Sequence, residues 1–321
     1  MESVKVGVIG VGALGRHHAR LYAECEGVEL VGVYDRDRNR AREIARESGT
    51  DVYPTPAALA DAVTGVSVAV PTDLHYRFVK DLLQRQKHVL VEKPITETVQ
   101  QAEELVEEAA RRDLVLAVGH VERYNPVLEV LDKAPGRPRF VEAHRLASYP
   151  PPRPDLPPRG TEVSVVLDLM IHDIDVLLDL VRSPVVRLEA VGVPVLSETE
   201  DIANARLVFE NGCVANVTAS RVSAEKMRKI RVFKSNAYLS LDYQEHAGVM
   251  AYKSAGGIAR ESVPVHECNA LKEELVDFCS CIRQVQETGE LPAPRVTGRQ
   301  GMEALRVADD ILQSIRQNAD T

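Results

Sequence analysis

The sequence predicts a doubly wound α/β domain followed by an α+β domain with an open, mostly antiparallel sheet. Three observations carry this. Short β-branched runs alternate with amphipathic helical patterns over the first ~120 residues, as expected for a parallel sheet covered on both faces. A glycine-rich turn comes directly after the first of these runs. After Gly119 the pattern changes to closely spaced strands, with the hairpin signal Asn211-Gly212 between two of them. The chain has 321 residues, above the roughly 250–300 at which one core stops growing. Two domains are expected, 1–120 and 121–321, with the last helix packing back on the first.

The strands of the first domain are read at Val4–Ile9, Val28–Val33, Val66–Val70, Val89–Val91 and Val115–Val118. Between them, Leu74–Gln86 places Phe78, Val79, Leu82 and Leu83 on one helical face, and Thr98–Arg112 does the same with Val99, Ala102, Leu105, Val106 and Ala109. In the second half a helix is expected at Pro126–Lys133, a proline-rich loop at Tyr149–Pro158 and a long helix at about Val163–Val181. Strand-like runs come next at Val185–Val193, Ala203–Phe209, Cys213–Thr218, Ile230–Phe233, Ala237–Leu241 and Val249–Tyr252. Two amphipathic helices close the chain, one through Leu271, Leu275, Phe278 and Ile282, the other through Met302, Leu305, Leu312 and Ile315.

Composition excludes several function classes. A net charge of -9 argues against nucleic acid as a partner, because phosphate contacts need concentrated Lys and Arg. Apolar runs fall short of the ~20 residues that span a bilayer, so no membrane partner is expected. Met1-Glu2-Ser3 leads straight into a strand with no basic stretch before an apolar one, which reads as cytoplasmic. The five cysteines are odd in number and scattered, so reduced thiols and no metal site are expected.

Gly10-Val11-Gly12-Ala13-Leu14-Gly15 is G-x-G-x-x-G between a strand and a helix. That context makes it a Rossmann dinucleotide fingerprint: the first glycine for the turn, the second for close approach of a pyrophosphate, the third for helix–strand packing. Ala13 and Leu14 lie in the same cradle. Asp35 stands 20 residues after Gly15, where a carboxylate accepts from an adenosine ribose and repels a 2′-phosphate. NAD is therefore expected over NADP, with the neighbouring Arg36 as a partial offset. Pro71-Thr72-Asp73-Leu74-His75 and Glu92-Lys93-Pro94 end the third and fourth strands, at the carboxyl edge where open α/β sheets bind ligands. Pro71, Thr72, His75, Glu92 and Lys93 are placed at the cofactor. Thr72 is expected to cap the next helix. By position alone, Lys93 reads equally well as a surface lysine and His75 as a packing residue.

Asp168 and His172 stand four apart on the long predicted helix, with Asp175 continuing that face. A carboxylate beside an imidazole suits general-base work, although spacing alone also fits a polar helix face. Arg221, Lys226, Arg228, Lys229 and Arg231 cluster within eleven residues. They read either as a diphosphate-binding surface or as a solvated strand pair.

Taken together, Gly10–Gly15, Ala69–His75, Glu92-Lys93-Pro94 and Asp168-x-x-x-His172-Asp173-x-Asp175 resemble the Gfo/Idh/MocA oxidoreductases over essentially the whole chain. The resemblance implies an NAD-dependent dehydrogenase acting on a sugar hydroxyl, with Lys93, Asp168 and His172 catalytic and also facing substrate. It further implies a homodimer or homotetramer formed through the C-terminal sheet. One departure is Val163-Ser164-Val165-Val166, where many members carry a Gly-Gly pair. A narrower resemblance, through Val118–Pro126, Glu142–Leu146, Asp201–Ala205 and Thr218–Val222, is to bacterial members that oxidise a UDP-N-acetyl-hexosamine to a 3-keto product. It adds Tyr124, Asn125 and Arg221 as substrate-binding residues. A free polyol dehydrogenase and a non-catalytic NAD-binding regulator are the alternatives.

Overall fold

The computed structural model describes residues 3–151, 160–245, 247–254, 256–264 and 268–319. It divides into two compact units, Met1–Tyr124 with Asn269–Met302, and Asn125–Cys268 with Glu303–Thr321.

The first unit is a doubly wound sheet, as the sequence predicts. Its strands are β1 (Val4–Ile9), β2 (Val28–Tyr34), β3 (Asp51–Val52), β4 (Gly65–Val68), β5 (His88–Glu92) and β6 (Leu116–Gly119), parallel and in the order β3-β2-β1-β4-β5-β6. The chain reverses direction across the sheet between β1 and β4. That switch point opens a crevice outside the carboxyl ends of these two strands. The helices are α1 (Gly15–Ala23), α2 (Arg38–Ser48), α3 (Pro56–Ala62), α4 (Thr72–Gln84) and α5 (Val99–Arg111). The short β3 and the helices α2 and α3 escape the periodicity reading. Helix α2 buries only Ala41, Ile44 and Ala45, too thin a stripe to stand out in an Arg- and Glu-rich segment. Its ends are nevertheless written locally. Asp37 accepts from Asn39 N–H and Arg40 N–H, and Gly49 closes the helix at φ 64°. Helix α4 corrects one expectation. It starts at Thr72 itself, Pro71 takes the capping position, and no side chain caps it.

The second unit holds an eight-stranded sheet. After α6 (Glu129–Lys133) come β7 (Pro138–Leu146), α7 (Ile171–Val181), β8 (Val185–Val193), β9 (Ile202–Phe209), β10 (Val214–Ser220), β11 (Met227–Lys234), β12 (Ala237–Asp242), β13 (Ala247–Ser254) and β14 (Gly257–Pro264). The order is β14-β13-β12-β11-β7-β10-β9-β8, antiparallel except for β10 beside β7. One face alternates into a core of Val141, Ala143, Ala205, Leu207, Val217, Ile230 and Leu239 against Met170, Ile174 and Leu177. The helix expected at Pro126–Lys133 is a 3-10 turn, Pro126–Leu128, running into the short α6. Residues 152–158 of the proline-rich segment lie outside the described residues.

The two closing helices serve different cores. In α8 (Ala270–Thr288), Leu275, Phe278, Cys279 and Ile282 join Val4, Val6 and Val8 in the core of the first unit. In α9 (Gly298–Ala319), Ala304, Ala308, Ile311 and Ile315 belong to the core of the second.

Candidate active site

The glycine turn has the geometry its sequence implies. Gly10 sits at φ 85°, and a Cβ there would lie 2.8 Å from the Ala69 backbone. A Cβ on Gly15 would lie 1.8 Å from the carbonyl oxygen of Gly10, so only glycine lets α1 start this close to β1. Gly12 is different. The nearest atom to its absent Cβ is the Arg40 guanidinium, 3.9 Å away. The space over Gly12 is thus an open hollow beside the start of α1, lined also by Ala13, Arg16 and Arg40. Leu14 is 40% exposed next to it. An open approach to backbone at a helix N-terminus, flanked by two guanidinium groups, fits the pyrophosphate of a dinucleotide.

Asp35, just beyond β2, is tied to the glycine turn by its carboxylate. One oxygen accepts from Val11 N–H at 2.9 Å and the other from Asp37 N–H at 2.8 Å. Each carboxylate oxygen keeps a second lone pair for a hydroxyl. Arg36 is exposed.

At the carboxyl edge of β4 and β5 the expected residues fall into two kinds. Lys93 is half-buried, and the Lys93–Pro94 bond is cis. Glu92 and His75 are instead committed inside the fold. Glu92 stands 3.0 Å from the His18 ring and its other oxygen accepts from Lys93 N–H. Burial acts to raise the Glu92 carboxyl. The His18 hydrogen bond and the nearby charges of His18, Lys93 and His75 outweigh it, and the group is lowered. The His75 ring nitrogens lie 2.8 and 2.9 Å from the carbonyl oxygens of Pro94 and Val70. This ring therefore ties the turn after β4 to the turn after β5. Buried His120, just past β6, is pushed down to about 3 by burial and by the charges of Lys93 and Arg123, so it is neutral beside Lys93. His18, on α1, and His120 escape the sequence reading. Their only local signals are a histidine three residues after Gly15 and another next to Gly119.

In the second unit Asp168 lies in a π-helical turn, Val166–Met170, and His172 in the first turn of α7. Both are half-buried, while Asp175 is 1% exposed. The single polar face read from Asp168 through Asp175 is thus broken. The wider π turn admits one extra residue and rotates the start of α7, a feature common at functional sites. Asp173, beside His172, makes a bidentate ion pair with Arg145 of β7, with Nε 2.7 Å and Nη2 3.1 Å from the two carboxylate oxygens. Both side chains are almost fully buried. The pair fixes the rotation of α7 over the sheet, and so the direction His172 faces.

Three expected substrate residues are buried and bonded within the fold. Arg221 is 3% exposed and all five of its N–H donors are used: Nε to Asp201, Nη1 to the carbonyls of Gly160 and Val163, Nη2 to Ser197 and Thr199. No donor is left for a phosphate. Tyr124 is buried and donates to Asp277 at 2.8 Å within the first unit. Asn125 is buried and accepts from Val127 N–H, capping the 3-10 turn. The rest of the basic cluster divides. Lys229 pairs with Asp242 and Arg231 with Glu142 across neighbouring strands, while Lys226 and Arg228 are exposed.

Among the described residues no group of three or more His, Cys, Asp or Glu is placed to hold a metal, and no helix is long and apolar enough to cross a membrane.

Comparison with known proteins identifies the family. Residues 4–120 match the oxidoreductase family with an NAD-binding Rossmann fold, and residues 129–240 match the GFO/IDH/MocA C-terminal domain. UDP-N-acetylglucosamine 3-dehydrogenase of Acidithiobacillus ferrooxidans is 37% identical over 88% of this chain and 90% of its own length. Its solved structure superposes with a TM-score of 0.89 at 35% identity, covering 98% of each chain. Inositol 2-dehydrogenase of Rubrobacter xylanophilus is 36% identical over 54% of this chain and 51% of its own. A fold-level match is the inositol dehydrogenase homologue of Azotobacter vinelandii in complex with NADH and myo-inositol, with a TM-score of 0.83 at 20% identity over 98% of this chain and 96% of that one. The chain is thus an NAD-dependent oxidoreductase acting on CH–OH groups, and it belongs to the Gfo/Idh/MocA family.

Proposed function

We propose that this protein oxidises a secondary hydroxyl of a UDP-N-acetyl-hexosamine to the 3-keto sugar, with NAD as acceptor. The observation that carries the substrate class is the 37% identity, over nearly the whole length of both chains, to a UDP-N-acetylglucosamine 3-dehydrogenase. His172 takes the proton of the reacting hydroxyl. Lys93 donates a hydrogen bond to the same oxygen and stabilises the negative charge that develops there. Asp168 orients one of these two groups. Bound NAD supplies the hydride acceptor. Of the basic segment, the exposed Lys226 is a cation that can meet a diphosphate at the surface, since Arg221 is spent inside the fold.

The chain works in the cytoplasm in this reading, as a homodimer or homotetramer. The outer face of the eight-stranded sheet is the pairing surface, and there Phe140, Phe233 and Tyr238 form a ladder with ring centroids 5.6 and 4.9 Å apart.

A panel of UDP-sugars and free sugars, assayed by NADH formation, tests the substrate. UDP-N-acetyl-hexosamines are expected to be turned over and free glucose and inositol to be poor. The reverse order would favour a free polyol dehydrogenase, the reading that the inositol 2-dehydrogenase match supports over about half the chain.

A further inference from the structure

The segment that enters the Asp168 turn is held by a buried ionic clamp. Arg221 stands just past β10, and its Nε lies 2.7 Å from Oδ1 of Asp201, which is 0% exposed. Its Nη1 donates to Gly160 O at 2.6 Å and Val163 O at 2.7 Å. Its Nη2 donates to the hydroxyls of Ser197 and Thr199. The Thr199 hydroxyl in turn shares its one proton between the carbonyls of Val163 at 3.0 Å and Thr161 at 3.3 Å. The loop between β8 and β9 is fixed as well, because Asp201 Oδ2 accepts from the N–H groups of Val195, Leu196 and Ser197. Val165 N–H donates to Glu200 O. The gripped carbonyls of Gly160, Thr161 and Val163 all belong to the short stretch that leads into the π turn.

The clamp ends against Asp168. Gly160 sits at φ 84°, and a Cβ built on it would lie 2.7 Å from Asp168 Oδ2. The place of the Asp168 carboxylate is therefore bounded by a glycine whose own carbonyl is gripped by Arg221. A Cβ there meets the carboxylate first, and the positive φ strains any other residue at this position as well.

We propose that Gly160, held by the Arg221–Asp201 pair, is a positioning element that sets where the Asp168 carboxylate stands during hydride transfer. The proposal rests on the reading of Asp168 as part of the reacting centre. It gives a task to the one arginine of the basic segment that is buried. Misplacing a reacting group by about 1 Å costs on the order of a hundredfold in rate, and the displaced atom here is the carboxylate oxygen itself.

The test is a double-mutant cycle on the full-length enzyme, with turnover and NAD affinity measured for Gly160→Ala, Asp168→Ala and the pair. Gly160→Ala is expected to lower kcat about ten- to a hundredfold and leave the dissociation constant for NAD unchanged. In the Asp168→Ala background the same substitution should cost about twofold or less, because the group it displaces is gone. Arg221→Lys keeps a cation against Asp201 but loses the fork that reaches both carbonyls. It should show a smaller kcat loss with the same dependence on Asp168, and it stands in should Gly160→Ala fold poorly. An unchanged kcat in Gly160→Ala, or an equal loss with and without Asp168, overturns the proposal. A wild-type turnover in Asp168→Ala overturns the catalytic reading, and the proposal with it.

Discussion

The two units place their candidate site residues by different means. In the first, the cradle is made of backbone. Gly10 and Gly15 are demanded by contacts with residues a few positions away or on an adjoining strand, and Asp35 closes the turn through main-chain N–H groups. In the second, Asp168 and His172 are placed by side chains that arrive from far along the sequence. Arg145 reaches Asp173 across 28 residues, and Arg221 reaches Gly160 and Val163 across 61 and 58. A backbone cradle is specified by local steric rules and survives as a motif. A clamp between distant ionised side chains is specified only by the finished fold. It is also the costlier device, because both charges leave water and each must then be fully partnered.

The sharpest way to break that comparison is to show that the two units do not divide the labour. His172→Ala and Lys93→Ala are each expected to lose about 10²–10⁴-fold in turnover, the usual worth of proton transfer and of a hydrogen bond to developing charge. In His172→Ala the affinity for NAD should stay near that of the wild type, since the cradle lies wholly in the other unit. Isothermal titration with NAD beside steady-state kinetics separates the two. A large loss of NAD binding in His172→Ala would mean that the second unit helps to hold the cofactor.

The clamp in the second unit makes a pH-dependent prediction. Burial works to raise the Asp201 carboxyl, but the Arg221 ion pair and the donors from Leu196 and Ser197 outweigh it and hold the group well below the usual carboxylate range. A carboxylate depressed in the folded state stabilises above its unfolded pKa of about 3.9 and loses that contribution as pH falls below it. Asp201→Asn keeps an acceptor and removes the charge. It should cost about 2–3 kcal/mol at neutral pH, within the range for a hydrogen bond between charged partners. The difference from wild type should shrink as pH falls below about 4. Thermal unfolding measured against pH checks this, and a gap between the two proteins that does not change with pH would remove the clamp from the account.

The same contrast explains how much of the molecule is legible in its sequence. The parallel sheet is legible because its strands are continuous Val-rich runs, and the cradle because G-x-G-x-x-G admits few other uses between a strand and a helix. Helix α2 is not, because three small buried residues leave almost no periodic signal. Asp168 and His172 stand out by their spacing, yet the π turn between them is invisible to a count in fours. Arg221 is misread in one dimension because neighbouring cations look alike there. Pairing sorts them: the strand register puts Lys229 opposite Asp242 and Arg231 opposite Glu142, while Arg221, at the strand end, turns inward to an aspartate 20 residues earlier.

The smallest effect concerns Asp35, and it asks whether the cradle is backbone throughout. The Asp35 carboxylate does two things in this fold. It receives Val11 N–H at 2.9 Å and so holds the glycine turn against the end of β2, and in the proposed cofactor site its remaining lone pairs accept from the adenosine ribose. Asp35→Ala removes both, and the dissociation constant for NAD should rise roughly tenfold, about 1.4 kcal/mol. Asp35→Asn separates the two roles. The amide oxygen can still accept from Val11 N–H, so the turn should persist, whereas the charge that repels a 2′-phosphate is gone. With Arg36 exposed alongside and Arg40 on the rim of the hollow, NADP should gain on NAD in Asp35→Asn more than in any variant of the second unit. Competition binding of the two cofactors measures the ratio. An unchanged ratio would mean that the discrimination lies in the shape of the glycine turn rather than in the carboxylate.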